Sequence, residues 1–310
     1  MAGRAIGIDV GGSSIKAARV DAQGDLEGLV QTPTPTTASG TADRCAHLAA
    51  ELITNEVAAV GIGSAGFVDR EAGTHLWGPH VAGPSPMVAA VYEFTGLPAV
   101  IDNDANAAAF AELRVGAARG HSNALVVMLG TGIGGGIIID GDVYRGSGSA
   151  GEIGHIVVDP GGPLCECGRR GCWETFVSGS VLDAAALRMA TAQPTGAVAS
   201  AAADRPPSGE HLMLAAQEGD PGAREAWSAV GAWLGRGVAQ LAAILDPEAV
   251  VVGGAPSRAG ELLLGPARTA LAETLHGGRV RSAPSMTVSH LDQNSAVIGA
   301  ALQALEKVDD

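Results

Sequence analysis

One histidine and three cysteines, His155, Cys165, Cys167 and Cys172, fall within eighteen residues of the chain. That is a complete ligand set for one tetrahedral zinc ion, which four nitrogen or sulfur atoms close. Gly161, Gly162, Gly168 and Gly171, with Pro160 and Pro163, let the backbone turn sharply enough for ligands close in sequence to converge. Only Cys45 lies elsewhere, so the thiols are concentrated as metal ligands are and as unrelated buried thiols are not. The stretch also carries Glu152 and Glu174, which zinc does not require, so the metal braces a polar site. The two ring nitrogens of histidine are chemically distinct. His155 can therefore hold metal with one and offer the other to a substrate hydroxyl.

Three glycine turns suit phosphate or nucleotide. Asp9-Val-Gly-Gly-Ser-Ser14 sets a carboxylate at a strand end beside a turn whose N–H groups can face phosphate oxygens. Asp9 is a candidate ligand for Mg²⁺, directly or through water. Gly130-Thr-Gly-Ile-Gly-Gly-Gly136 offers a second nest of N–H donors, which binds anions without basic side chains. Gly253-Gly254 follows an apolar strand and precedes a helix, where backbone can lie against a nucleotide ring or ribose. Plain turn geometry asks for the same glycines. No G-x-x-x-x-G-K-[ST] segment is present, which sets the P-loop class aside. Asn103 and Asp104 stand at a strand-to-helix junction. Either can cap the helix, and Asp104 can accept a hydroxyl proton during phosphoryl transfer.

The elements that must position these residues follow from periodicity and turn chemistry. Strands are expected at 5–9, 15–20, 26–32, 57–62 and 98–101, with helices at 41–54 and 105–115. The hairpin pattern then recurs, with strands at 124–129 and 133–139 around Gly130-Thr131-Gly132, so the chain reads as two versions of one lobe. Further helices are expected at 179–190, 209–218, 222–245, 260–276 and 295–306, with a strand at 249–252. Residues 191–207 read as a surface connection rich in Ala, Ser, Thr and Pro.

At 310 residues the chain is long enough for two cores. With 46% hydrophobic residues and only ten Phe, Trp and Tyr, those cores are built from Ala, Val, Ile and Leu. A net charge of −14 argues against a nucleic-acid surface, which depends on Lys and Arg at phosphates, and 19 Lys and Arg make a long polyphosphate an unattractive donor. The longest uncharged apolar run, Ala124–Ile139, has 16 residues broken by five glycines, short of the ~18 of a membrane span. No signal segment is read at the N-terminus, since Ala2–Val10 is already strand-like and carries Asp9. Thiols reserved for metal suit a reducing cytoplasm.

Taken together, these segments resemble the ROK family of sugar kinases and repressors, within the actin-like ATPase superfamily, over nearly the whole chain. Ile8-Asp-Val-Gly-Gly-Ser13 is similar to the family's first phosphate loop, Leu129-Gly-Thr-Gly-Ile-Gly134 to its second, and Val252-Gly-Gly254 to its adenosine motif. Asn103-Asp-Ala-Asn-Ala-Ala108 is similar to its catalytic segment. Glu152-x-x-His155 with Cys165-x-Cys167-Gly-x-x-Gly-Cys172-x-Glu174 is similar to its signature, the most specific of these matches.

The resemblance implies an α/β, two-lobed actin-like ATPase (ribonuclease H-like) fold, each lobe a mixed sheet flanked by helices, with nucleotide and sugar in the interdomain cleft. The lobes are expected at 1–116 with 294–310, and at 117–293. It implies that Asp104 is the base acting on a sugar 6-hydroxyl, and that Gly66, Asn103, Glu152, His155 and Glu174 bind the sugar. It further implies that Asp9, Gly11, Gly12, Ser13, Lys16, Gly130, Thr131, Gly132, Gly134, Gly253 and Gly254 bind ATP. Mg²⁺ and a structural zinc on His155, Cys165, Cys167 and Cys172 complete the set, in a homodimer or homotetramer.

Ala65-Gly-Phe-Val-Asp69 and Gly116-Ala-Ala-Arg-Gly120 are similar to segments of actinobacterial glucokinases, which implies an ATP-dependent hexokinase-type enzyme acting on glucose. After Gly78-Pro-His-Val-Ala82 the chain reads Gly83-Pro-Ser-Pro-Met87, where many such enzymes carry a tryptophan and an acidic, proline-containing turn. That altered rim leaves room for an N-acetylhexosamine kinase. A sugar-sensing protein without turnover is the third reading, and the intact Asp9, Asp104 and phosphate loops count against it. No DNA-binding helix-turn-helix is read before the first strand, so the enzyme branch is expected rather than the repressor branch.

Overall fold

A computed structural model describes residues 3–309. The chain opens with β1 (Arg4–Val10), β2 (Ser14–Val20) and β3 (Leu26–Pro33), then α1 (Ala38–Leu52) and β4 (Val57–Ser64). A short ribbon of β5 (Phe67–Asp69) and β6 (Thr74–Trp77) leads to α2 (Met87–Thr95), β7 (Ala99–Asn103) and α3 (Asp104–Arg114). The first sheet has the order β3-β2-β1-β4-β7. β1 runs antiparallel to β2 and parallel to β4, which is parallel to β7. Ala5, Ile6, Ile8 and Val10 of β1 are all buried, because helices cover both faces of this sheet, the situation in which strands read as continuous apolar runs. One face packs on Cys45, Ala46, Leu48 and Leu52 of α1 and on Met87 and Val91 of α2.

The second half repeats the plan with β8 (Ala124–Leu129), β9 (Ile133–Ile139) and β10 (Asp142–Tyr144). Helices α4 (Gly179–Ala192), α5 (Ala197–Ala202), α6 (Gly209–Gln217) and α7 (Pro221–Leu245) precede β11 (Ala249–Gly253). Then come α8 (Glu261–Thr274), β12 (Ser285–Val288) and α9 (Ser295–Asp309). Its sheet order is β10-β9-β8-β11-β12. Counted within each sheet, both orders are 3-2-1-4-5, so the repeat read in the sequence is a repeat of topology. Contacts divide the chain into one unit of Met1–Val126, Gly135–Gly151 and Leu291–Asp310, and another of Val127–Gly134 and Glu152–His290.

Several elements differ from expectation, each for a local reason. The first helix begins at Ala38 because the Thr37 side chain caps it, accepting from Gly40 N, and it ends at Leu52 where Ile53 turns extended. The expected connection 191–207 contains α5, which forms because Val198 and Ala202 find a buried face. β5, β6, β10 and β12 are three or four residues long, too short to show a period. α7, with 25 residues, is long and apolar enough to cross a membrane by length and composition. Arg224, Glu225 and Arg236 interrupt it, so it holds no uncharged run as long as Ala124–Ile139. Half of its most apolar window is buried inside the fold, with Trp227, Leu234 and Val238 at 1% exposure or less, as in a core helix.

Candidate active site

In the first unit, β7 runs straight into α3, and the turn between them holds Asn103 and Asp104. Asn103 is the cap: its Oδ1 accepts from Ala105 N at 2.9 Å and from Asn106 N at 3.1 Å, satisfying N–H groups that the first helical turn leaves open. Asn103 Nδ2 donates to Gly66 O at 3.1 Å. Asp104 is the first residue of the helix, its Oδ1 accepting from Ala105 N at 2.9 Å. Gly66 has φ +108, and a Cβ there would lie 2.3 Å from Trp77 O and 2.7 Å from Gly78 Cα. Only glycine lets the chain pass this close to the start of the 78–85 rim.

The rim is held by His75, a residue that sequence reasoning missed. It is fully buried, and its backbone exchanges hydrogen bonds with Ser85 at 2.9 and 2.8 Å. Its Nε2 lies 3.2 Å from Val81 O and its Nδ1 3.1 Å from Ser64 Oγ. A carbonyl can only accept, so Nε2 carries the proton and Nδ1 accepts from the Ser64 hydroxyl. Burial lowers the pKa of His75, opposed by the Val81 carbonyl, which favours this neutral ring.

Asp9 sits near the end of β1, paired across the hairpin with Lys16. Burial, and then the negative charge of Asp104, push its carboxyl up to about 7, with Lys16 pulling the other way. Lys16 Nζ donates to Gln293 O at 3.3 Å. The Gly11-Gly12-Ser13 tip is closed by Gly11 N donating to Ser14 O at 3.0 Å. It is tied to the chain after β3 by Thr34, whose hydroxyl donates to Gly11 O at 2.6 Å and whose N–H donates to Ser13 O at 3.2 Å. A carboxyl that resists ionisation for want of a counter-charge is one that a cation suits, so Asp9 fits Mg²⁺.

In the second unit, the tip Gly130-Thr131-Gly132 is fastened to the first turn of α4. Gly179 N donates to Gly130 O at 2.7 Å and Ser180 Oγ to Thr131 O at 2.8 Å. Gly134 lies within β9. Gly253 ends β11, and Gly254, at φ +84, crosses the end of β8 so closely that a Cβ would lie 2.0 Å from Leu129 O. Packing between strand ends therefore accounts for glycine at 254, and it sets this turn beside the second loop. A side chain at Gly132 would meet Glu174 Oε2 at 2.5 Å, so loop and signature motif are neighbours.

Glu174 stands in a 3₁₀ turn, Trp173–Thr175, anchored by Trp173, which is fully buried and donates from Nε1 to Trp233 O at 2.9 Å. Glu152 precedes a second such turn, Ile153–His155. Burial raises its pKa, with His155 opposing and Glu174 adding to the rise. The ligand atoms of His155, Cys165, Cys167 and Cys172 all lie within 4.8 Å of one another. Cys167 Sγ is 3.5 Å from Cys172 Sγ, and Cys165 Sγ is 3.7 Å from His155 Nδ1. A tetrahedral zinc with sulfur at about 2.3 Å and nitrogen at about 2.0 Å has S···S edges of about 3.8 Å and S···N edges of about 3.5 Å. The cluster fits that ion, with Nδ1 as the metal-facing nitrogen. The Cys167 thiol is drawn down to about 6, first by the Arg169 N–H, toward the thiolate a metal requires. Burial pushes Cys45 up to about 12, leaving it an inert core thiol. The Cys165 thiol donates to Glu174 Oε1 at 2.9 Å, and Oε1 also lies 3.4 Å from His155 Nδ1.

The comparisons with known proteins agree along the whole chain. The model of the ROK family matches residues 5–307. A glucokinase of Streptomyces coelicolor is 40% identical over 311 residues, covering 98% of each chain. An N-acetylmannosamine kinase of Escherichia coli O7:K1 is 34% identical over 307 residues, covering 97% of this chain and 98% of its own. The crystal structure of a ROK family glucokinase from Streptomyces griseus in complex with glucose and AMPPNP superposes with a TM-score of 0.89 at 39% identity, covering 98% of this chain and 100% of that one. A family model that spans nearly the whole chain and relatives matched from end to end show the family. The chain belongs to the ROK family.

Proposed function

We propose that the chain is an ATP-dependent glucokinase, transferring the γ-phosphoryl group of ATP to the 6-hydroxyl of glucose. The observation that carries this is the full-length likeness, at 39% identity and a TM-score of 0.89, to a glucokinase bound to glucose and AMPPNP. Asp104 takes the proton of the 6-hydroxyl as that oxygen attacks the γ-phosphorus and ADP leaves. Asn103, Glu152, Glu174 and Nε2 of His155 bind the remaining hydroxyls, and Gly66 lines the sugar pocket. The N–H groups of Gly11–Ser13 and Gly130–Gly132 hold phosphates with Lys16, and Gly134, Gly253 and Gly254 lie along the nucleotide. Asp9 would hold Mg²⁺, which would supply charge neutralisation at the phosphate oxygens. His155, Cys165, Cys167 and Cys172 would hold a zinc ion that would fix the imidazole; as thiolates the cysteines would donate no proton, which would leave Glu174 Oε1 to a sugar hydroxyl. The functional lobes are 1–116 with 294–310 and 117–293, and the enzyme works in the cytoplasm as a homodimer or homotetramer.

The test is ADP release from Mg-ATP with glucose, mannose, N-acetylglucosamine and N-acetylmannosamine. A kcat/KM for glucose at least tenfold above the others is expected. Preference for an N-acetylated sugar would move the assignment to a hexosamine kinase, the reading favoured by the altered rim and the N-acetylmannosamine kinase relative. Sugar binding without turnover would leave a sensor.

A further inference from the structure

Directly before the Asn103-Asp104 turn stands Asp102, whose side chain is 1% exposed. Its Oδ1 accepts from the Asn103 N–H at 2.9 Å and from Asn106 Nδ2 at 3.5 Å. Its Oδ2 accepts from Arg145 Nε at 2.8 Å and from Gln303 Nε2 at 2.9 Å, with Arg70 Nε at 3.6 Å. Arg145 is itself fixed at the end of β10, donating from Nη1 to Val143 O at 2.9 Å and accepting at its carbonyl from the N–H groups of Gly148 and Ala150. Gln303 comes from α9 and is buried. Strand β7, helix α3, the end of β10, α9 and the segment after β5 thus meet on one carboxylate.

Stability alone is a poor reason for such a node, because apolar residues of similar volume commonly stabilise a core as well as a buried ion pair does. What the carboxylate supplies is direction. The ladder between β4 and β7 ends at the pair Ser64 and Asn103, and the N–H groups of the first turn of α3 have no partners in their own helix. Asp104 therefore follows the last residue held by the sheet and precedes the first held by the helical ladder. Asn106 is oriented by the same group: among the described residues its Oδ1 is buried without a hydrogen-bond partner. Turning the amide over would set that oxygen against the Asp102 carboxylate.

We propose that Asp102 is a positioning residue for phosphoryl transfer, holding the Asn103-Asp104 turn in one orientation through the Asn103 N–H and the Asn106 amide, braced by Arg145 and Gln303. This rests on Asp104 being the base. A displacement of the base by about 1 Å costs up to roughly a hundredfold in rate, so the node acts chiefly on kcat, with a smaller effect on the KM for glucose through Asn103.

The experiment measures kcat, both KM values and Tm for the full-length, zinc-loaded enzyme with saturating Mg-ATP, at least 15 °C below each variant's Tm. Asp102→Asn is expected to lower kcat roughly 10- to 100-fold, with the KM for glucose and for ATP within about threefold of wild type. Asp102→Glu is expected to restore most of the rate, because Arg145 and Arg70 are long enough to follow a carboxylate moved by one methylene. Arg145→Gln and Gln303→Met each release one brace; a fall in kcat of about fivefold or more at unchanged KM is expected, and these two variants decide the matter if Asp102→Asn does not fold. Loss of Tm with full turnover per folded molecule would make the node structural and overturn the proposal, as would losses confined to KM. Asp104→Ala, run alongside, separates the two ideas. Near-normal turnover there removes the base, whereas a dead Asp104→Ala beside a fully active Asp102→Asn removes only the positioning role.

Discussion

The turn at Asn103-Asp104 and the stretch from Glu152 to Glu174 both hold candidate site residues with buried polar groups, but they do it on different scales of the chain. Around Asp102, donors come from Arg70, Asn106, Arg145 and Gln303, up to 201 positions away. Around Glu174, the four metal-type ligands lie within eighteen residues. A ligand set is lost as a unit when its ion leaves, whereas a hydrogen-bonded node loosens one donor at a time. The first region therefore depends on the whole first unit being folded, and the second, under the proposed zinc site, on a metal.

The sharpest way to break this comparison is at the proposed base. Asp104→Ala is expected to lower kcat by roughly 10²- to 10⁴-fold while calorimetry still shows glucose binding; turnover near wild type would remove Asp104 as the base. Next in size, Cys167→Ser should release zinc, measured by metal analysis, and raise the KM for glucose roughly 10- to 100-fold, on the scale at which disturbed metal shells act. Asp102→Asn should keep its zinc in the same measurement. Full zinc content in Cys167→Ser would refute the ligand assignment.

His75→Gln tests whether the rim behaves as an independent part. Losing one well-aligned buried hydrogen bond costs about 1 kcal/mol, so the KM for glucose should rise about fivefold with the KM for ATP unchanged; an equal rise in both would tie the rim to the whole unit.

Asp9 gives the smallest effect. Its carboxyl titrates at about 7 when folded and at about 4 when unfolded, so between those values the folded state binds the extra proton. Stability should then fall as pH rises from about 4 through 7. Asp9→Asn removes that loss and should raise Tm by a few degrees at pH 8 without nucleotide or Mg²⁺, and by little at pH 4. An unchanged slope of Tm against pH in Asp9→Asn would show that other groups carry it.

How legible each part was depended on how local its cause is. The glycine-tipped hairpins, α3 beginning beside Asn103, and the cysteine cluster were readable because turn chemistry, capping and ligand spacing act over a few residues. The repeated topology was readable from two hairpins of one pattern. The ribbon of β5 and β6 and the strands β10 and β12 were not, since three or four residues show no period. Nothing in the sequence around His75 marks it as the clamp of the rim, because its partners Ser64, Val81 and Ser85 matter only once β6 has folded against β4 and the rim.

The sequence by itself determined the histidine-cysteine cluster, the glycine turns, the apolar strands and an acidic balance that argues against a nucleic-acid surface, all carried by residue type and short spacing. Only the tertiary structure decided that Nδ1 of His155 faces the thiols, that Gly254 is required by the end of β8, and that Asp102 gathers donors from five segments. Those depend on which side chains the packed sheets and helices bring within about 3 Å, a distance that no spacing along the chain encodes.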